Sequence, residues 1–378
     1  MAQYLIFLTI STSIFALFGL GLNLQWGFTG LINFGHVAFM TLGAYTTVLL
    51  TLKGVPLVLS AIIGAVVAAL LGLAIGFSTL RLREDYLGIV TIGVGELIRL
   101  VVNNQDLPVG NEWKSGAFGV QSYPIPLATL VPNLFIKLLL ITLLTLLALI
   151  TLWQLWRWIG VSRVLSSTTN SQKKVGSKQE FISHLVIGVF LALLTVAIYI
   201  SGVIGLYDYN ATAGLMLVSL IVLAFVFWRL EILVRSPWGR VLKAIREDEE
   251  IPKALGKNVF WYKLQSLMLG GAIAGIAGAF IAWQLSAIYP NNFEPIETFT
   301  AWIIVILGGS GSNLGTILGA VLYFMYYEGT RNLDKIISLD SDRLSALRIM
   351  IIGLILMVLM IWRPQGILGK KEELTLGK

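Results

Sequence analysis

The stretch AQYLIFLTISTSIFALFGLGLNLQWGFTGLINFGHVAFMTLGAYTTVLLTL, residues 2–52, contains no Asp, Glu, Lys or Arg. A helix that crosses a bilayer needs about 20 mostly apolar residues, so this stretch is long enough for two such segments. Further charge-free stretches occupy residues 54–80, 181–207, 209–228, 264–293 and 298–327. The repetition of this pattern along one chain predicts a polytopic membrane protein.

The composition indicates the same class of protein. Apolar residues make up 57% of the 378 residues and charged residues 12%, whereas an ordinary soluble domain carries roughly 25% charged residues. The chain has no cysteine, which excludes disulfides and cysteine-ligated metal. We attribute the formal net charge of +7 to Lys and Arg on a cytoplasmic face and not to nucleic-acid binding.

Charges, prolines and glycine clusters divide the apolar sequence into about ten membrane segments. The segments are too long for porin strands and lack their alternation. The predicted fold is therefore all-α, a polytopic membrane helical bundle in which residues 1–378 form one transmembrane domain. The predicted segments are 4–24, 27–51, 57–80, 86–103, 134–156, 182–204, 209–230, 263–288, 298–327 and 344–362.

Lys and Arg in the short loops predict the orientation of the bundle, because cytoplasmic loops carry an excess of these residues. The predicted cytoplasmic parts are the turn at Arg81 and Arg83, the loops 157–180 and 229–263, and the C-terminal tail. The connections 104–133, 205–208 and 289–297 are poor in basic residues and are predicted to lie outside.

Two apolar segments are interrupted by glycine and polar residues. The first interruption is NLQWGFTGLINFGH, residues 23–36, and the second is GGSGSNLG, residues 308–315. If each segment turns back at its interruption instead of crossing, both chain ends are cytoplasmic. Paired glycine-broken segments in the two halves of a transporter often mark the substrate site. Helix packing through small residues is the alternative, and it is the role expected for Gly64, Gly72 and Gly76.

The candidate translocation path combines polar residues of the two interruptions with one intramembrane pair of charges. Ionisable residues inside a membrane segment are costly and are usually functional or paired. Glu96 and Arg99, three positions apart on one helix, are expected to form an ion pair that is either structural or part of the path lining. The candidate residues are Gln25, Asn33, His36, Glu96, Arg99, Ser310, Ser312 and Asn313.

The stretch SPWGRVLKAIREDEEIPKALGKNVFWYKL, residues 236–264, is predicted to project into the cytoplasm. Ser236 as N-cap and Pro237 at the first helical position begin a helix. A break follows, and Gly256 ends a second, short helix. A merely solvated loop explains the acidic run 247–250 but not the apolar Ile251 within it. Such a projection allows a membrane subunit to contact a separate motor.

The sequence lacks a motor and a catalytic constellation of its own. None of the Gly-Lys pairs at 256, 369 and 377 has the earlier glycine and following Ser or Thr of a phosphate loop. ATP hydrolysis would therefore need another polypeptide. His36 and His184, the two histidines, are too few and too far apart for a metal cluster. We predict no enzymatic activity, no metal and no cofactor.

Four motifs resemble the LivH/LivM family, which comprises the membrane permease subunits of branched-chain and neutral amino-acid ABC importers. The opening 50 residues are most similar to LivM-type permeases of cyanobacterial neutral amino-acid importers. The motifs are GLNLQWGFTGLINFGHVAFMTLGAY at 21–45, GRVLKAIREDEEIPKALGKNVFWYKLQSLMLGGAIAGIAGA at 239–279, FTAWIIVILGGSGSNLGTILGA at 299–320 and WRPQGILG at 362–369.

This resemblance implies a complex in the lipid of the bacterial inner membrane. The permease would work with a second, LivH-type permease subunit, two ATP-binding subunits and a periplasmic substrate-binding protein. ATP bound by the partner subunits would drive alternating access for a small neutral amino acid. The implied coupling residues are Arg246, Glu247, Asp248, Glu249, Glu250, Ile251, Ala254, Leu255 and Gly256.

Three other functions stay open on the residues alone. A urea or short-chain amide ABC importer would use a closely similar permease. A secondary transporter driven by an ion gradient would not need the charged projection. An integral-membrane enzyme would need an acid, base or metal constellation, which the sequence does not contain.

Overall fold

The computed structural model describes residues 2–80, 84–110, 112–128, 132–167, 174–330, 341–363 and 365–369. These ranges contain thirteen α-helices. The helices are α1 (Ala2–Leu22), α2 (Val37–Leu52), α3 (Leu57–Thr79), α4 (Glu84–Asn104), α5 (Leu134–Ser167), α6 (Lys174–Tyr207), α7 (Ala211–Arg235), α8 (Pro237–Glu247), α9 (Glu250–Ala254), α10 (Val259–Leu285), α11 (Pro295–Gly308), α12 (Asn313–Gly329) and α13 (Ser341–Trp362).

The predicted all-α membrane bundle is confirmed. Among the described residues, seven helices are long and apolar enough to cross a membrane, or up to eight spans if the bent pair α11–α12 is one span. Two shorter apolar helices, at Val37–Leu52 and Ala346–Trp362, complete the set. Together these elements occupy the positions of the predicted segments, with shifted boundaries.

Three short strands of the described chain lie in the connection 104–133, which is predicted to lie outside, and a fourth precedes the connection 289–297. Strand β1 (Asp106–Val109) pairs antiparallel with β2 (Glu112–Ser115), and β3 (Val120–Gln121) pairs antiparallel with β4 (Ala287–Ile288). The Tyr123 hydroxyl donates to the Ala282 carbonyl over 2.5 Å and fastens the segment after β3 to α10.

The described chain divides into two compact units, which we describe separately. The smaller unit comprises Met1–Ile10 and Pro126–Ile221, and the larger comprises Ser11–Ile125 and Val222–Lys378. In the smaller unit α5 and α6 pack along each other, and the hydroxyls of Thr145 and Tyr199 lie 3.2 Å apart. All residues of the candidate site belong to the larger unit.

Glycine contacts let α2, α3 and α10 approach closely in the larger unit. A Cβ added at Gly43 would lie 2.2 Å from the Gly275 carbonyl oxygen, and one at Gly64 would lie 2.8 Å from the Gly43 oxygen. A Cβ at Gly72 would meet the Leu267 oxygen at 3.0 Å, and one at Gly76 would meet the Leu264 side chain at 2.4 Å. The packing role predicted for Gly64, Gly72 and Gly76 is confirmed.

The first interruption differs from the prediction of a helix over 27–51. Helix α1 continues as a π-helical turn, Asn23–Gly27, and residues 28–36 follow without regular helix before α2 begins at Val37. A π-turn widens the hydrogen-bonding ring by one residue and often marks a functional site. Glycine permits the turn that follows, because Gly30 has a φ of +82°.

The positions of the chain ends relative to the membrane stay a prediction. Ala2–Gly27 is one helical span of 26 residues. Gly27, at the end of this span, contacts Arg246 of the predicted cytoplasmic projection.

The second interruption lies between α11 and α12. The two helices are bent by 115° at this break, a geometry shared by broken spans and re-entrant loops. They meet through glycine, since a Cβ added at Gly308 would lie 1.9 Å from the Gly315 carbonyl oxygen. We name this bent pair, α11 and α12, the hairpin.

The predicted basic loop 157–180 is shorter in the structure. Helix α5 continues to Ser167 and α6 begins at Lys174. Residues 168–173 lie outside the described residues, as do the turn 81–83 and the tail from 370 onward.

Candidate functional site

The two interruptions lie against each other and are joined by a buried asparagine. The Asn23 side chain donates to Asn313 Oδ1 over 3.3 Å and accepts from the Gly311 backbone N–H over 2.9 Å. Gly27 leaves room for this contact, because a Cβ there would lie 2.0 Å from Asn23 Oδ1. Hydrogen bonds of Asn23 thus join the π-helical turn to the hairpin.

Aromatic rings extend this contact between the interruptions. Trp302 of α11 lies 4.4 Å from Trp26 and 5.2 Å from Phe34, measured between ring centroids. Its Nε1 donates to the Asn33 carbonyl over 3.1 Å. The backbone N–H of Val37 donates to the Thr298 hydroxyl over 2.9 Å. Helix α11 therefore supports the irregular segment at Asn33 and Phe34 and both of its ends.

The predicted residues of the first interruption bond to one another and to α10. Gln25 and Asn33 are completely buried, and the Asn33 amide donates to Gln25 Oε1 over 2.9 Å. Gln25 Nε2 donates to the Leu267 carbonyl over 3.0 Å. These bonds satisfy buried polar groups that would otherwise cost about 1–3 kcal/mol each. In this conformation the two side chains brace the interruption.

The predicted residues of the second interruption have different environments. Asn313 is buried and its Nδ2 donates to Glu231 of α7 over 3.2 Å. Glu231 also accepts from Arg235 over 2.6 Å. The Ser312 hydroxyl caps α12 by accepting from the Gly315 N–H over 3.0 Å. Ser310 is half-buried in the turn. The charged pair at the end of α7 is therefore connected to the hairpin.

His36 lies apart from these amides, at the start of α2. Its Nε2 lies 3.1 Å from the Phe18 carbonyl oxygen, and its ring stacks on Phe18 with centroids 4.7 Å apart. The ring is completely buried, and Nδ1 has no hydrogen-bond partner among the described residues. His36 thus holds the irregular segment against α1.

Helices α8 and α9 form the predicted projection. Leu242 and Ile245 bury the inner face of α8. Gly256 follows α9 with a φ of +75°, as the stop signal predicts. The predicted side-chain cap at Ser236 does not form, because its hydroxyl donates to the Leu233 carbonyl over 2.6 Å instead. Pro237 at the first position begins the helix without it.

The projection contacts the first interruption directly. Arg246, at the end of α8, donates to the Gly27 carbonyl oxygen. A Cβ added at Gly30 would lie 3.4 Å from the Arg246 Cα, so the backbone of the interruption rests on this residue. Both interruptions therefore lie at the end of the bundle that carries α8 and α9.

The other predicted coupling residues form an exposed tip. Lys263 of α10 pairs with Glu249 and anchors the base of the tip, while Lys253 pairs with Glu250 over 3.2 Å. The side of the tip is apolar, since Ile251 is 58% exposed and Leu255 74% exposed. The exposed members are Glu247, Asp248, Glu249, Glu250, Ile251, Ala254, Leu255 and Gly256. This tip presents apolar side chains among charges.

Glu96 and Arg99 form the predicted ion pair but lie apart from the interruptions. Arg99 donates to both oxygens of Glu96, over 2.5 and 2.9 Å. It also donates to Asn291, beyond α10, over 3.3 Å. The pair therefore joins α4 to the connection predicted to lie outside. Within the described residues, no group of three or more His, Asp or Glu could hold a metal ion.

Sequence reasoning did not single out Asn23, Glu231 or Lys263. Asn23 is the nearest polar neighbour of Gln25 in the first interruption, so its residue type and position could have identified it as a site residue. The partners of Glu231 and Lys263 lie 82 and 14 residues away in sequence. A charge at the end of a membrane segment gives no indication of such partners.

Replacing Asn23 with leucine is expected to destabilise the protein by about 1–3 kcal/mol, because the Gly311 N–H and the Asn313 amide each lose a buried partner. Asn104→Leu is the control, since Asn104 is exposed and, in the described part of the chain, its side chain donates to Leu100 of its own helix. The midpoint of thermal unfolding in detergent is measured for both variants. Equal midpoints for the two variants would contradict the bridging role of Asn23.

Comparison with known proteins places the chain in a family. The family model for the branched-chain amino acid transport system permease component matches residues 4–360. The chain belongs to this family. The permease is a multi-pass integral membrane protein of the bacterial inner membrane, and a transport subunit by family.

Individual relatives agree with the family match. The high-affinity branched-chain amino acid transport permease LivM of Escherichia coli is 29% identical over 358 residues, 94% of this permease and 68% of LivM. The permease LivH of Salmonella typhimurium is 23% identical over 365 residues, 95% of this chain and 92% of LivH. The fructose import permease FrcC of Rhizobium meliloti is 30% identical over 127 residues, 32% of this chain and 35% of FrcC. No solved structure matches the permease.

Proposed function

We propose that the permease is the membrane-spanning subunit of an ATP-driven importer of branched-chain amino acids. The observation that carries this proposal is the contact between Arg246 of the exposed projection and Gly27 of the first interruption. A projection with an exposed apolar tip provides a contact surface for a motor. Its direct contact with broken membrane segments provides the connection that a motor needs to change their conformation.

In this mechanism, ATP-driven closure of the motor subunits displaces α8 and α9. Arg246 transmits the displacement to the π-helical turn, and Asn23 transmits it to Gly311 and Asn313. Both interruptions then move together, because they share hydrogen bonds. The bundle alternates between outward-facing and inward-facing states, which differ in how the ligand-binding groups are exposed.

The proposed cargo contacts are the polar groups of the interruptions. Irregular backbone at membrane depth lies in protein or along a cavity, and its free N–H and C=O groups can bind a zwitterion. Movement of the interruptions would expose the polar groups of Gln25, Asn33, His36, Ser310, Ser312 and Asn313 to the cargo. Glu96 and Arg99 would act earlier on the path, at the predicted outer end.

The proposed complex contains a second, LivH-type permease, two ATP-binding subunits and a periplasmic substrate-binding protein. The permease itself would hold no cofactor and hydrolyse no ATP, since its Gly-Lys pairs lack the surrounding residues of a phosphate loop. Purification of the tagged permease from native membranes tests this. Recovery of ATP-binding subunits with ATP-dependent uptake is expected. Uptake driven by an ion gradient without ATP would reject the proposal.

The cargo is tested separately by competition in the same vesicles. Leucine is expected to compete for uptake more strongly than urea, because the proposed cargo is a zwitterion with an apolar side chain. Stronger competition by urea or a short-chain amide would identify that class of compound as the cargo instead of an amino acid. The proposal of ATP-driven import would still hold.

Replacing Leu255 with aspartate is expected to prevent recovery of the ATP-binding subunits without unfolding the permease. Leu255 is 74% exposed, so a charge there costs little in the isolated chain but disrupts an apolar contact with a partner. Trp113→Asp is the control, since Trp113 is 72% exposed on β2, away from the tip. Equal recovery with both variants would exclude Leu255 from the contact.

A further inference from the structure

The end of α11 receives hydrogen bonds from the far end of the chain. The last four carbonyls of an α-helix have no partner in the helix. The Leu307 carbonyl accepts from the Ile367 N–H over 3.2 Å, and the Gly308 carbonyl accepts from the Leu368 N–H over 2.9 Å. Residues 365–369, which we name the C-terminal strap, thus cap the first helix of the hairpin.

The strap fits through direct backbone contact at two glycines. A Cβ added at Gly366 would lie 2.4 Å from the Gly309 Cα and 2.7 Å from the Ile306 carbonyl oxygen. A Cβ added at Gly309 would lie 2.6 Å from the Gly369 nitrogen. Gly366 and Gly309 also have φ angles of +77° and +117°, which disfavour other residues. A side chain at either position would separate the strap from the hairpin.

The capped turn is the same turn that meets the first interruption. Gly311, two residues after Gly309, donates to Asn23. The π-helical turn that begins at Asn23 ends at Gly27, which accepts from Arg246. The second interruption is therefore held between the strap on one side and the contacts leading to α8 on the other.

We propose that the C-terminal strap is a positioning element for coupled transport. It holds the second interruption in the register in which Asn23 bonds to Gly311 and Asn313. Displacement of α8 then moves both interruptions instead of bending the hairpin alone. The inference rests on the proposed function, and it assigns a role to Gly366, Ile367 and Leu368, which are not among the candidate path or coupling residues.

The test compares Gly366→Ala with Gly353→Ala in the complete reconstituted complex. Gly353 is the matched control, because a Cβ added there meets nothing within 4 Å. The number of amino-acid molecules taken up per ATP hydrolysed is measured in proteoliposomes. We expect this ratio to fall at least about fivefold in Gly366→Ala, the lower range of a coupling between sites, and to be unchanged in Gly353→Ala.

The outcomes separate the two proposals. If the wild-type complex shows no ATP-dependent uptake, the proposed function fails. If the wild type transports and Gly366→Ala matches Gly353→Ala in molecules per ATP, the positioning role is overturned. A fall in uptake with an equal fall in ATP hydrolysis also overturns it, because the coupling ratio is then unchanged.

A second measurement applies if Gly366→Ala does not assemble. The chain has no native cysteine, so Leu307→Cys with Ile367→Cys can be oxidised in native membranes. We expect a cross-link that leaves ATP-driven uptake intact, since the strap stays on the hairpin through the cycle. Failure to cross-link, or loss of uptake that a reductant restores, would overturn the proposal.

Discussion

Replacing Arg246 with methionine is expected to lower ATP-driven uptake at least about tenfold, within the range of coupling between distant sites. Arg246 is half-buried at the end of α8 and donates to the Gly27 carbonyl oxygen. Methionine keeps an unbranched apolar stem but has no N–H to donate. Displacement of the projection would then no longer be transmitted to the π-helical turn, and ATP hydrolysis would continue without transport.

Uptake and ATP hydrolysis are measured together in proteoliposomes that contain the full complex. Arg240→Met is the matched control, because Arg240 is exposed on the same helix. It removes the same charge and should leave uptake per ATP unchanged. If the two variants transport equally well, Arg246 does not couple the projection to the first interruption.

Replacing Gly278 with alanine is expected to lower the stability of the permease, since overpacking a contact this close costs up to about 3 kcal/mol. A Cβ at this position of α10 would lie 2.1 Å from the Met40 carbonyl oxygen and 2.8 Å from the Ala44 nitrogen. Backbone atoms cannot rotate away as a side chain would, so α2 and α10 must separate. This cost exceeds the gain of about 1 kcal/mol that alanine brings to a helix interior.

The variant Gly93→Ala measures the effect of helix propensity on stability without a steric clash. Gly93 also lies inside a helix, α4, but a Cβ there meets nothing within 4 Å. The midpoint of thermal unfolding of Gly93→Ala in detergent should equal or exceed that of the wild type. The midpoint of Gly278→Ala should be lower than that of the wild type. A Gly278→Ala variant as stable as Gly93→Ala would mean that the α2–α10 contact is looser than described.

Local sequence properties were sufficient for the membrane segments and the projection. A run without charged residues can enter a bilayer wherever it lies in the fold. The free-energy cost of burying a charge in lipid arises at each charged residue separately. The helix signals at Pro237 and Gly256 are also local, because each acts on the backbone of its own residue and its neighbours. The ion pair of Glu96 and Arg99 was predictable because residues three apart share one helix face.

Other features required distant residues to meet. The glycine patterns indicated two interruptions, but the pairing of Asn23 with Asn313 joins positions 290 residues apart. The first interruption was predicted to start a helix immediately, whereas the structure runs irregularly to His36 because Trp302 and Thr298 satisfy its backbone.

The sequence by itself determined which segments are apolar, where they break and which loop is exposed, since each depends on neighbouring residues. Only the tertiary structure decided which breaks meet and what caps α11. Those properties depend on close approach of backbones that glycine permits, as at Gly27 and Gly366. A glycine in the sequence shows that close approach is possible, but not which backbone occupies the space.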